Sequence, residues 1–177
     1  MPALFFRGST QRHSDMPKPD PFRRINALVR TGKHGTALRR MLDLERFRLR
    51  GEYRSDANHA WYVIGDLFST KRRPDLAVAA FRKSVRSRPR DAEALWALGN
   101  AYSELARPAL AERYLRAALR NARGNAAQIR YNLGNALYDQ KKYSAAVAIY
   151  KSIRPRDGRA FRLAQRNIQH ARARLRR

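Results

Sequence analysis

The chain has 177 residues, 44% hydrophobic and 30% charged, enough for one domain with a sizeable core. It contains no cysteine, which excludes disulfides and thiolate metal sites, and no apolar run approaches the roughly 18 residues of a membrane-spanning helix. Its net charge of +25, from 39 basic and 14 acidic residues, favours contact with polyanions, although arginines solvating a helical surface give the same balance.

Residues 1–20 read as a disordered tail. "MPALFFRGSTQRHSD" shares its Arg, Ser and Thr content with organelle presequences, its apolar patch is too short for a secretory signal, and a start at Met16 is the alternative to Met1. Residues 21–57 read as a degenerate helix pair or cap followed by a linker. Phe22, Ile25, Leu28 and Val29 form one apolar stripe and Ala37, Met41 and Leu44 another, with "TGKHG" as the turn and "RGEYRSDAN" as the linker. "GKHGT" lacks the strand and the upstream glycine of a phosphate loop, since Ala27 occupies that place.

From residue 58 the sequence repeats. Gly65, Gly99 and Gly134 recur at intervals of 34 and 35 residues inside helical patterns, where glycine costs roughly 1 kcal/mol against alanine. One residue before each stand Ile64, Leu98 and Leu133, and three before stand Tyr62, Trp96 and Tyr131. Twelve after come Ala77, Ala111 and Ala146; sixteen after come Phe81, Leu115 and Tyr150. Each unit (58–91, 92–126 and 127–157) therefore encodes two amphipathic helices, A and B. Pro74 and Pro108 suit the first turn of a helix B, where a missing N–H does no harm. The glycines are expected to face the alanines in pairs, Gly65 with Ala77, Gly99 with Ala111 and Gly134 with Ala146, so that the two backbones approach closely. In the last segment, 158–177, Phe161, Ala164, Ile168, Ala171 and Leu175 recur at helical spacing beneath Arg159, Arg162, Arg166, Arg172 and Arg174, as in a basic capping helix.

Trp61, Ile64, Gly65, Phe68, Ala77, Phe81 and Pro89 resemble the signature of the tetratricopeptide repeat, and repeats two and three keep Gly, Ala and the preceding Leu in phase. The resemblance implies an all-α, right-handed α-solenoid of stacked antiparallel helix pairs: about three full repeats, the degenerate N-terminal pair and the C-terminal cap. It further implies a concave face lined by helix A, with contact positions three before and one after each glycine. Those are Tyr62, Asp66, Trp96, Asn100, Tyr131 and Asn135; the same phase reaches Arg162 and Arg166 in the last helix. Rings, amides and arginines in that order suit an extended peptide. The competing reading makes the rings inter-helix core and the amides ties within the stack. Some family members grip chaperone C-termini with a Lys/Asn/Arg carboxylate clamp. Asn100 and Asn132 match that pattern, but Trp96 stands where its first lysine belongs.

The histidines, His13, His34, His59 and His170, show no metal spacing, and no acid pair, nucleophile elbow or dinucleotide fingerprint appears. No enzymatic activity, cofactor or metal is expected. On helix B, Arg82, Arg86, Arg116, Arg120, Lys151 and Arg154 form a basic ridge. The expected function is a non-enzymatic scaffold or adaptor in the cytoplasm, binding a peptide or acidic protein in the concave groove. The alternatives are a nucleic-acid- or ribosome-associated protein using the ridge, and an organelle-targeted protein.

Overall fold

The structure, a computed structural model, describes residues 20–124 and 126–176; the expectations for the tail, the start at Met16 and His13 lie outside them. Among the described residues nine α-helices follow one another: α1 (Phe22–Arg30), α2 (His34–Met41), α3 (Ala57–Thr70), α4 (Pro74–Ser87), α5 (Ala92–Glu104), α6 (Pro108–Asn121), α7 (Ala127–Asp139), α8 (Tyr143–Lys151) and α9 (Arg159–Leu175). Their starts follow local chemistry. The Asp56 carboxylate accepts the His59 N–H, the Asp91 carboxylate accepts those of Glu93 and Ala94, and Pro74 and Pro108 stand in the first turns of α4 and α6.

The A helices also end alike. Seven residues after each glycine the backbone turns left-handed, at Arg72 (φ 54°), Ala106 (φ 53°) and Lys141 (φ 61°). The N–H groups there return to Ser69, Ser103 and Tyr138, and those one residue on return to Phe68, Tyr102 and Leu137. This double closure satisfies carbonyls that the helix end leaves open. Gly32 (φ 71°) does the same after α1, with its N–H on Val29 and that of Lys33 on Leu28. The first pair is thus built on the same turn, with Ile25 in the glycine column.

The three repeat glycines face a different partner from the one expected. A Cβ on Gly65 would lie 2.5 Å from the Phe81 ring, and one on Gly99 would lie 2.7 Å from Leu115; on Gly134 it would overlap the Tyr150 ring. The notch therefore admits the large residue sixteen positions on. Ala77, Ala111 and Ala146 are fully buried nearby, but their atoms are not the nearest ones. The chain forgoes about 1 kcal/mol of helix propensity so that a buried Phe, Leu or Tyr, worth about 1.5–3 kcal/mol in transfer, packs against bare backbone.

The end of the expected second helix is instead a strand hairpin, and the linker after it is packed as well. Leu42–Asp43 (β1) pairs antiparallel with Arg48–Leu49 (β2), Leu42 opposite Leu49, and both leucines are buried. The Asp43 carboxylate accepts the Arg46 N–H (3.2 Å) and Phe47 turns the loop at φ 46°. Leu44, expected in the stripe of the second helix, lies in that loop and is 51% exposed. Phe47 instead covers Trp61 (ring centroids 5.3 Å apart) and Phe68, while the Lys83 ammonium sits 4.6 Å over the Trp61 ring. A turn of 3-10 helix, Gly51–Tyr53, then buries Tyr53 completely.

Successive A helices touch along the stack, α3 with α5, α5 with α7 and α7 with α9. The helices form a solenoid of stacked pairs, and the A helices are those that the resemblance sets on its inner face.

Candidate functional site

The side chains three before each glycine are braced from behind. The Tyr62 ring packs on Phe81 at 5.8 Å and Tyr131 on Tyr150 at 6.1 Å, each against the residue its own glycine admits. Tyr62, Trp96 and Tyr131 are half-buried, so one surface of each ring belongs to the stack and part faces outward. Asp66 is exposed, and Asn100 and Asn135 are half-buried.

The amides tie repeats together. Asn132 Nδ2 donates to Asn100 Oδ1 (2.6 Å). Asn135 Oδ1 accepts from the Tyr150 hydroxyl (2.7 Å) and from Asn167 Nδ2 (3.0 Å), which fastens α9 to α7. The two amides that the clamp resemblance singles out, Asn100 and Asn132, are thus bonded to each other. Burial pushes the Tyr150 hydroxyl up to about 12, and it is a donor at any ordinary pH.

Around Trp96 the surface opens. A cavity of about 430 Å³ is lined by Asp91, Glu93, Trp96, Asn121, Arg123, Gln128 and Ile129, between the N-terminal ends of α5 and α7. The Trp96 indole N–H is buried and has no hydrogen-bond partner. Burial raises the pKa of the Tyr62 hydroxyl, and the charges of Glu93, Asp66 and Asp91 raise it further. A larger recess, about 950 Å³, lies away from this face beside α1 and is lined by Arg23, Arg24, Arg40, Glu52 and Tyr53.

Charge is sorted by helix. α3 and α5 contain no Lys or Arg, and α7 contains only Arg130; together these A helices carry four carboxylates, Asp66, Glu93, Glu104 and Asp139. The B helices α4, α6 and α8 carry Arg82, Lys83, Arg86, Arg113, Arg116, Arg120 and Lys151 against Asp75 and Glu112. The six ridge residues, Arg82, Arg86, Arg116, Arg120, Lys151 and Arg154, are all exposed, and Arg116 is drawn into an ion pair with Glu112 at 2.8 Å. Arg162 and Arg166 are exposed on α9. Asp91, Glu93, Arg123 and Gln128 beside Trp96 were not among the expected contacts; the lack of cations in α3 and α5 was the sequence signal for the two acids.

Among the described residues no group of His, Asp and Glu is placed to hold a metal, and no helix is long and apolar enough to cross a membrane. A model of the family described as tetratricopeptide repeat matches residues 22–92, 62–126 and 97–161 in overlapping windows, well over half of the chain. The chain belongs to the tetratricopeptide repeat family. No curated protein matches it in sequence. Solved tetratricopeptide repeat structures share its fold. YrrB, a TPR protein with an unusual peptide-binding site, matches with a TM-score of 0.69 at 21% identity, over 84% of this chain and 73% of that one. The TPR2B domain of yeast Sti1, in its complex with pHsp70, matches with a TM-score of 0.62 at 19% identity, over 66% and 97%. MamA matches with a TM-score of 0.64 at 18% identity, over 85% and 93%.

Proposed function

We propose that this tetratricopeptide repeat protein is an interaction adaptor that holds an extended segment of a partner protein against the inner face of α3, α5 and α7. The supporting observation is the Trp96 indole N–H, buried without an acceptor in a residue that walls the cavity between the N-terminal ends of α5 and α7 and the C-terminal end of α6. Leaving a buried donor unpaired costs about 1–3 kcal/mol, and a peptide carbonyl entering the cavity removes that cost. Tyr62 and Tyr131 supply flat surface on either side, and Asp66 a polar edge. Asn100 and Asn135, whose acceptor oxygens are engaged within the stack, act by fixing the spacing of the repeats. The fold neighbours that carry a peptide-binding site or a bound partner make this use of the face reasonable.

The test is calorimetry with peptides selected from a display library. Trp96→Phe, which keeps an aromatic ring and removes the donor, is expected to weaken binding about tenfold while circular dichroism shows the helices intact. Binding that ignores Trp96→Phe and Tyr62→Ala but disappears on Arg82→Glu with Arg116→Glu refutes the groove. That outcome would favour the second reading, nucleic-acid contact through the ridge, for which the observation is five exposed cations on the B helices, Arg154 lying in the turn after α8. The ridge reading also requires binding that falls steeply with salt.

A further inference from the structure

We infer that the inner face selects a cationic segment, one carrying Arg or Lys, although the protein as a whole is strongly basic. The inference rests on the groove reading above and specifies its occupant. The acidic partner expected from the overall charge fits the ridge and α9 but not this face. α3 and α5 contribute no Lys or Arg to it, while Asp66 is exposed on α3 and Asp91 and Glu93 line the Trp96 cavity, where they face a single cation, Arg123. In a chain with 39 Lys and Arg, two consecutive A helices without either leave a local surface of opposite sign.

The ring chemistry agrees. Half-exposed Tyr62 and Trp96 next to carboxylates form the combination that receives a guanidinium or ammonium: the charge pairs with the acid and the stem lies on the ring face. The Lys83 ammonium already sits over the Trp61 ring within this same protein. The buried Trp96 N–H adds a donor that a side-chain cation cannot satisfy, so it is left for the backbone carbonyl of the same segment.

The outer arginines do not cancel this field. Packed helix axes lie about 8–10 Å apart, so ridge charges on the far side of the B layer stand well beyond one screening length, about 8 Å at physiological ionic strength. A side chain bound in the Trp96 cavity meets Asp91 and Glu93, with Arg123 beside them, and the ridge only through screened solvent.

The experiment uses the full chain and three capped peptides of about nine residues that share their Leu and Phe positions and carry Arg, Gln or Glu at the remaining ones. Binding is read by fluorescence anisotropy at low and physiological salt. The Arg peptide is expected to bind about tenfold or more tighter than the Gln peptide, with the Glu peptide weakest. Asp66→Asn with Glu93→Gln should erase the Arg advantage while leaving Gln-peptide binding in place; Asp91 is kept because it caps α5. Equal affinity for Arg and Gln peptides, or preference for Glu, overturns the cationic occupant. If that binding still depends on Trp96, the groove itself stands. Arg-peptide binding that the double substitution leaves untouched overturns the inference as well. Failure of all three peptides to bind overturns both.

Discussion

Replacing Gly65 by alanine opposes two terms of known sign. Helix propensity favours the change by about 1 kcal/mol. The new Cβ would stand 2.5, 2.6 and 2.9 Å from three atoms of the Phe81 ring. Phe81 is buried and rigid, and Tyr62 leans on it, so relief requires moving a helix rather than swinging a side chain. Overpacking of this kind costs about 1–3 kcal/mol, with a ring at the upper end, leaving a net loss of about 2 kcal/mol. Urea unfolding followed by far-ultraviolet circular dichroism should show it as a lower midpoint with little change in slope. The decisive version is a double-mutant cycle. Phe81→Ala alone should cost about 3–5 kcal/mol, but in that background Gly65→Ala meets open space and should stabilise by about 1 kcal/mol. The coupling is then about 3 kcal/mol. Additive effects, within about 0.5 kcal/mol, would mean that the notch does not exist to admit Phe81.

Ala106 holds a left-handed backbone at φ 53°, so Ala106→Gly should raise stability by about 0.5–1 kcal/mol, the relieved strain less the added freedom of the unfolded chain; a lower midpoint contradicts the turn. Asn58, buried on α3, donates to the Ser84 carbonyl and hydroxyl at 3.2 and 3.1 Å and accepts the Ser84 hydroxyl on its own carbonyl at 2.9 Å. Asn58→Ala should cost about 1–3 kcal/mol in the same assay, and a neutral result removes this tie from the account. Glu112 fastens the second repeat to the third, accepting from Arg116 (2.8 Å), Gln140 (2.9 Å) and Lys142 (2.9 Å). Burial alone would raise its pKa, but those donors outweigh burial and hold it at about 2 against an ordinary 4.5. A lowered folded pKa gives stability that is present above about 4.5 and lost as pH falls toward 2, on the order of 1–3 kcal/mol. Glu112→Gln should therefore flatten the acid limb of a pH–stability curve in that window while lowering stability at neutral pH; an unchanged acid limb refutes the assignment.

The repeat was legible because three glycines recur in one phase with rings, leucines and alanines at fixed offsets, and such columns survive divergence elsewhere. Which column meets which was not legible. Offsets of twelve and sixteen both return to the facing side of helix B, and only the crossing of the two helices decides that Phe81 rather than Ala77 fills the Gly65 notch. The left-handed turns were hidden because Arg72, Ala106 and Lys141 carry no turn signature of their own, whereas Gly32 does. The hairpin at 42–49 was missed since "LDLERFRL" spaces its apolar residues compatibly with a helix, and only packing of Phe47 over Trp61 selects the strand pair.

The site shows a similar division. The resemblance supplied the proposed ring positions, and the lack of Lys and Arg in α3 and α5 was obscured by summing charge over the whole chain. Counting helix by helix recovers it: α3 and α5 hold acids and no Lys or Arg, whereas α4 and α6 hold six Lys and Arg against Asp75 and Glu112. The mutual pairing of Asn100 and Asn132 lies beyond any sequence pattern, since it depends on the distance between neighbouring repeats.

The adaptor reading is tested most directly by following the two indole N–H resonances, Trp61 and Trp96, in ¹H–¹⁵N spectra while the Arg-bearing peptide is titrated. Trp61 is covered by Phe47 and Lys83 and should stay in place. The Trp96 signal should move downfield, saturate and become protected from exchange as its donor gains an acceptor. A Trp96 resonance that stays fixed while ridge arginine signals shift would contradict the groove and place binding on the opposite face.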